Sequence, residues 1–218
     1  MVDIQKQLDA VERELRTDDV DGEPSYVQSI SQEYPSGIQD VWDAVTSPDR
    51  IARWFLPVSG ELRLGGRYQF EGNAGGEILA CTPPVDGRAE YRVTWEYGGG
   101  VTWLTVTLDE TDAGATRVRL DHAAHTADVP AEMWDVFGPG ATGVGWDQGL
   151  LGLALHLGAV EGAVDPADAE KWQLSDEGKA FSRAAADGWA RAHVAAGADP
   201  AVAAQAADAT YGFYTGQQ

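Results

Sequence analysis

The most constraining feature of the sequence is a long stretch, from Pro57 to about His125, in which apolar and polar residues alternate. Six short segments show this period of two: GELRL, RYQFEG, GEILAC, RAEYRVTWEY, VTWLTVTLDE and TRVRLDH. Turn sequences rich in glycine, such as NAGG, PPVDG and GGG, separate them. Short alternating segments joined by tight turns predict one curved antiparallel sheet.

Helical periodicity flanks this stretch. Before it, SYVQSISQEY is interpreted as a seventh strand, and PSGIQDVWDAVTS and PDRIARWF as two short helices. After it, a helical region begins at Pro130, breaks near Gly138, and continues as a long helix that is apolar on nearly every side. Such a helix needs cover on both flanks, which we expect from the sheet and from the chain after Glu161.

Residues near the N-terminus predict an amphipathic helix within residues 1–22. Its apolar stripe consists of Ile4, Leu8, Val11 and Leu15. A helix of this length is marginal alone in water, so we expect the stripe to be buried against its own domain or against a second copy in a homodimer.

The last part of the chain also predicts helices. Start signals occur at Asp165, Ser175 and Asp199, where a capping residue precedes a helical pattern. We expect these helices, within residues 161–218, to pack on the outer side of the long apolar helix.

The order of the predicted elements is that of the helix-grip fold. VWDAVTSPDRIARWF followed by Pro57, the paired glycines on either side of Tyr68, and the later MWDVFGPG resemble the bacterial branch of a family. That family is named for the activator of the heat-shock-protein-90 ATPase and belongs to the START and pollen-allergen-like superfamily. The resemblance spans roughly Tyr26 to Gly158. We therefore predict an α+β helix-grip domain over residues 23–160, with a seven-stranded curved antiparallel sheet around a long C-terminal helix and added helices at both termini.

The resemblance also implies a function. Many relatives bind apolar small molecules in a cavity between the sheet and the long helix, a few catalyse cyclisation or hydrolysis there, and the eukaryotic namesakes stimulate a chaperone. The leading hypothesis is binding of an apolar or aromatic small molecule, without a cofactor. The alternatives are an enzyme of the cyclase or hydrolase type and a chaperone-associated stress protein. No nucleophile elbow, phosphate loop or dinucleotide-binding glycine pattern favours an enzyme.

Aromatic residues on the predicted strands suit such a cavity. Tyr68 and Phe70 share one strand face, and Tyr91 and Trp95 share another. The predicted ligand-binding residues are Trp54, Phe55, Tyr68, Phe70, Tyr91, Trp95, His122, Trp134, Trp146 and Leu150. The alternative is a filled core, because large aromatic side chains fill space as well as they line it. For Trp54 and Phe55, core packing competes with lining a ligand entrance.

Two histidines are weak candidates for a catalytic base. His122 lies near a strand end, and His156 lies on a glycine-rich face of the long helix, so the two would pair across the cavity. A hydrogen-bonded core histidine is the alternative for each. We predict no metal site, because His122 and His125 are three apart on a strand and point to opposite faces, and Cys81 is the single cysteine.

The net charge of the chain limits the classes of partner that it can bind. A formal net charge of −20 argues against nucleic acid and against anionic membrane surfaces, both of which attract clustered Lys and Arg. The sequence shows neither a transmembrane stretch nor the apolar run of a signal peptide near Met1. We expect a cytoplasmic protein whose partner is an apolar small molecule.

Overall fold

The fold is described for residues 1–217 of a computed structural model, and its centre is one antiparallel sheet of eight strands. The strands are β1 (Glu12–Val20), β2 (Glu23–Tyr34), β3 (Val58–Gly60), β4 (Arg67–Phe70), β5 (Gly75–Val85), β6 (Arg88–Tyr97), β7 (Gly100–Glu110) and β8 (Thr116–His125). Their order in the sheet is β1-β2-β8-β7-β6-β5-β4-β3. The predicted α+β helix-grip fold is confirmed, with one strand more than the seven expected.

Eight α-helices within the described residues surround the sheet. They are α1 (Ile4–Ala10), α2 (Ile38–Thr46), α3 (Pro48–Ile51), α4 (Ala131–Phe137), α5 (Gly140–His156), α6 (Ala169–Gln173), α7 (Asp176–Ala195) and α8 (Pro200–Thr215), with a short 3-10 turn at Pro166–Asp168. The two short helices between β2 and β3 lie where the sequence predicts them. No helix within residues 1–217 has both the length and the apolar character to cross a membrane.

Two hairpins of the sheet are closed by the same Asp-Gly dipeptide. Asp21-Gly22 joins β1 to β2 with φ values of 56° and 91°, and Asp86-Gly87 joins β5 to β6 with φ values of 50° and 78°. Two consecutive residues with positive φ form the type I′ turn, whose twist matches that of the paired strands. Glycine adopts this conformation without strain, and aspartate tolerates it better than most residues.

The predicted N-terminal amphipathic helix over residues 1–22 is wrong beyond Ala10. Residues 12–20 form the edge strand β1, which pairs antiparallel with β2 from Glu12 opposite Ser31 to Val20 opposite Glu23. Val11 and Leu15 are four positions apart, and this spacing places two side chains on one side of a strand as well as of a helix. Both are buried in the chain's own core, so the stripe gives no reason to expect a second copy.

The long helix α5 lies between the sheet and the C-terminal helices. Its outer side contacts α7, whose Phe181 and Trp189 are fully buried. The contact is close because α5 has a glycine at the crossing point: a Cβ atom on Gly143 would lie only 2.4 Å from the Trp189 ring. α7 also packs against β1, the strand that the sequence did not predict. The C-terminal helices and β1 are therefore in direct contact.

Candidate functional site

A cavity of about 160 Å³ lies between the concave face of the sheet and α5. Its wall is almost wholly apolar. Eight of the ten predicted ligand-binding residues line it: Trp54, Phe55, Tyr68, Phe70, Tyr91, Trp95, Trp146 and Leu150. We call this space the sheet cavity.

A continuous row of aromatic side chains forms one wall of the sheet cavity. Ring centroids are 5.1 Å apart between Phe55 and Phe70, 5.7 Å between Phe70 and Trp95, and 5.1 Å between Trp95 and Trp146. The row joins the turn after α3 to β4, β6 and α5. These edge-to-face and tilted contacts are the arrangements that aromatic pairs prefer, so the rings of this wall stabilise one another.

Other lining residues were missed from the sequence. Leu104 and Val106 of β7 line the sheet cavity and belong to the same alternation that identified the neighbouring strands, so that signal was available. Ile78 and Cys81 of β5 also line it although they are three apart. A register shift between Ile78 and Ala80 inserts one residue and brings Cys81 onto the inner face, and simple alternation does not foresee it.

Few polar groups line the sheet cavity. The Tyr68 hydroxyl donates to the carbonyl of Thr94 at 2.6 Å, and the Trp54 indole N–H donates to the carbonyl of Ala44 at 2.9 Å. The Tyr91 hydroxyl and the Trp95 indole N–H have no hydrogen-bond partner within residues 1–217. Burial raises the pKa of Tyr91, so its hydroxyl is neutral and able to donate. Such unpaired polar groups in an apolar wall are a source of specificity for a ligand.

His122 lies behind this wall and is not among the lining residues. The Trp146 indole N–H donates to its Nδ1 at 3.1 Å, and its Nε2 lies 2.8 Å from the Thr102 hydroxyl. Because an indole nitrogen can only donate, Nδ1 is the acceptor and Nε2 carries the proton. Burial lowers the pKa of His122 to about 4, so the ring is neutral near pH 7. Its lone pair is already used by Trp146, which makes His122 a support for that side chain.

His156 does not pair with His122. It lies ten residues after Trp146 on α5, which corresponds to about 15 Å along the helix. Its Nε2 accepts a hydrogen bond from Nε of Arg50 at 3.1 Å. The proposed pairing of the two histidines across the cavity is therefore wrong, because a straight helix carries them to different ends of the site.

Trp134 also lies outside the sheet cavity. Its ring stacks on Tyr26 with centroids 3.8 Å apart, and its other side meets the edge of His193 at 5.7 Å. α4 thus covers the start of β2 and not the cavity wall. The sequence shows that Trp134 lies on an amphipathic turn but not which neighbour that turn covers.

A family model and several solved structures resemble this chain. The family model described as Activator of Hsp90 ATPase homolog 1-like protein matches residues 36–158. The solution NMR structure of CalU16 from Micromonospora echinospora is 32% identical, covers 86% of this chain and 97% of its own, and has a TM-score of 0.68. The crystal structure of the same protein gives 28% identity, 84% and 98% coverage, and a TM-score of 0.63.

A more distant structure supports the fold alone. MLL2253 from Mesorhizobium loti is 20% identical, covers 61% of this chain and 97% of its own, and has a TM-score of 0.51. A search of curated protein sequences finds no match. The agreement with CalU16 extends over most of the chain and therefore includes elements outside residues 36–158.

Proposed function

The chain belongs to the Activator of Hsp90 ATPase homolog 1-like protein family, and from this premise we propose that it binds a small apolar or aromatic molecule in the sheet cavity. The single observation that carries the proposal is the apolar cavity of about 160 Å³ between the sheet and α5. The sequence predicted most of its wall. The sequence left open whether these residues line a cavity or fill a core, because that depends on how much of the space between the sheet and α5 their side chains occupy.

The volume of the sheet cavity limits the size of the ligand that it can hold. An engineered apolar cavity of about 150 Å³ stays dry and binds benzene, whereas pockets for drug-sized ligands measure roughly 300–1,000 Å³. A space of about 160 Å³ therefore suits a single ring or a short branched hydrocarbon. Larger ligands require the wall to move.

The unpaired polar groups indicate which small apolar ligands should bind most tightly. A ligand with one hydrogen-bond acceptor would satisfy the Tyr91 hydroxyl or the Trp95 indole N–H, and each such bond contributes about 0.5–1.5 kcal/mol. Monocyclic aromatic molecules carrying one oxygen, such as anisole or benzaldehyde, combine the required size with one acceptor. We expect them to bind more tightly than benzene.

The experiment is a titration of the full chain with benzene and anisole, followed by tryptophan emission and by the melting temperature. Trp95 and Trp146 lie in the wall, so a bound ring changes their emission. The test variant is Val106→Phe, which fills the sheet cavity from β7. The control is Val101→Phe on the same strand, where the side chain is 44% exposed and outside the cavity.

We expect the wild type and Val101→Phe to bind both probes and Val106→Phe to bind neither, with all three retaining their circular dichroism spectra. Two results would refute the proposal. One is a wild-type protein that shows no response at saturating benzene. The other is a folded Val106→Phe variant with wild-type affinity.

A further inference from the structure

A second cavity, of about 570 Å³, lies on the opposite side of α5 from the sheet cavity. It is open to solvent on one side and is lined by α5, by the turn after α3, and by the segment from Gly162 to Gln173. Trp54 lines both spaces and forms part of the partition between them. We call this space the extension cavity, because residues of the C-terminal extension complete it.

Part of the lining of the extension cavity is apolar, and this part includes Leu151 and Leu155 of α5 and Trp172 of α6. The residues of α5 that line the sheet cavity, Leu150 and Leu153 among them, are different ones, so occupancy of the two cavities is separable by mutation. The volume of about 570 Å³ lies within the range of small-molecule sites.

One end of the extension cavity is cationic, which is unusual in a chain of net charge −20. The chain has 12 arginines, and ten of them form ion pairs with carboxylates within residues 1–217. Within that same part of the chain, Arg53 and Arg191 form none. Arg53 lines the extension cavity, and Glu170, the acidic residue of the lining, is solvent-exposed on α6. A guanidinium without a carboxylate partner at the rim of an apolar space is a ready site for one.

His156 supplies a second donor at this end. Its Nε2 accepts from Nε of Arg50, so the proton of the neutral ring lies on Nδ1. That N–H has no hydrogen-bond partner within residues 1–217, although His156 lines the extension cavity. Burial and the charges of Arg50 and Arg53 lower the pKa of His156, and the charge of Asp40 opposes this shift.

From these observations we propose that the extension cavity binds a small apolar carboxylate. Its carboxylate group accepts hydrogen bonds from Arg53 and from Nδ1 of His156. Its hydrocarbon or aromatic body lies along Leu151, Leu155 and Trp172. This site is separate from the sheet cavity, and the inference stands whether or not a ligand binds there.

The test is isothermal titration calorimetry of the full chain with 4-phenylbutyrate and with the neutral 4-phenylbutan-1-ol. A charge-assisted hydrogen bond is worth more than a neutral one, so we expect the acid to bind about tenfold or more tightly than the alcohol. Arg53→Gln should remove this preference by weakening the acid about tenfold or more while leaving the alcohol unchanged. Arg191→Gln is the matched control, since Arg191 also forms no ion pair among residues 1–217 but lies outside both cavities, and it should behave as the wild type.

The position of the ligand is checked by methyl NMR. The acid should shift the methyl signals of Leu151 and Leu155 and leave those of Leu104 and Val106 unchanged. Equal affinity for acid and alcohol, no binding of the acid, or an Arg53→Gln variant with wild-type affinity for the acid would each overturn the proposal. Benzene binding in the sheet cavity should be the same in Arg53→Gln and in the wild type, so the two proposals fail independently.

Discussion

Arg13 of β1 and Asp147 of α5 form a buried ion pair, with Nη2 of Arg13 2.5 Å from Oδ1 of Asp147 and side-chain exposures of 7% and 1%. The indole N–H of Trp189 donates to the other carboxylate oxygen at 2.8 Å. One carboxylate therefore joins the edge strand, the long helix and α7. This contact holds α7 of the extension against the outer side of α5.

Asp147→Asn should lower the free energy of unfolding by about 3–5 kcal/mol, because it leaves the Arg13 charge buried without a counterion. The measurement is urea denaturation followed by circular dichroism. Glu61→Gln is the control: it breaks the exposed Arg63–Glu61 pair, where the side chains are 71% and 65% exposed, and should cost less than about 1 kcal/mol. Equal effects of the two variants would contradict the structural role of Asp147.

Gly143→Ala should destabilise the protein by about 1–3 kcal/mol, because the new methyl group would lie 2.4 Å from the Trp189 ring and force α7 outward. Gly149→Ala is the matched substitution in the same helix, and its new Cβ would be 4.0 Å from its nearest neighbour, an atom of the Phe55 ring. We expect Gly149→Ala to raise stability by up to about 1 kcal/mol through helix propensity. Thermal denaturation that ranks the two variants in the opposite order would contradict this packing.

His122 should make the protein less stable in mild acid. Burial lowers its pKa from 6.5 to about 4, so the unfolded chain binds a proton between these values and the folded chain does not. The free energy of unfolding therefore falls as the pH drops from 6.5 to 4, by about 3 kcal/mol for this residue. His122→Gln keeps an acceptor for Trp146 but does not titrate. Denaturation curves across this pH range should show a shallower loss for the variant, and identical slopes would contradict the assignment.

Leu150→Ala should enlarge the sheet cavity. Removing this buried side chain costs about 2–5 kcal/mol, and the space it leaves should admit a two-ring ligand such as naphthalene. We expect naphthalene to raise the melting temperature of Leu150→Ala and to leave the wild type unchanged. Naphthalene binding of equal strength to both proteins would show that the wall moves more easily than its aromatic packing indicates.

Period-two alternation was sufficient to predict most of the sheet, because a half-buried strand requires it. It failed at Glu12–Val20, since Val11 and Leu15 fit a helix and a strand equally well by spacing alone. The Asp21-Gly22 turn resolves the ambiguity, and the same dipeptide at Asp86-Gly87 was recognised as a turn signal. The local signal for β1 was thus present but was outweighed by the apparent helical stripe.

The residues of the candidate site were likewise predicted from the sequence only in part. Strand faces predicted Tyr68, Phe70, Tyr91 and Trp95 because alternation reports which side chains share a side. The placement of Trp134 against Tyr26, and of His122 behind Trp146, depends on how helices cross the sheet. The periodicity of apolar residues along the sequence does not predict where a helix crosses the sheet. The extension cavity was not predicted at all, because it exists only where three segments distant in sequence meet.

The most direct test of the proposed function is the position of bound benzene in the full chain, measured by nuclear Overhauser effects between the ligand and assigned methyl groups. Ligand binding in the sheet cavity predicts contacts from benzene to Leu104, Val106 and Leu150, which line that space. Contacts confined to Leu151 and Leu155, or no contacts at saturating benzene, would contradict it.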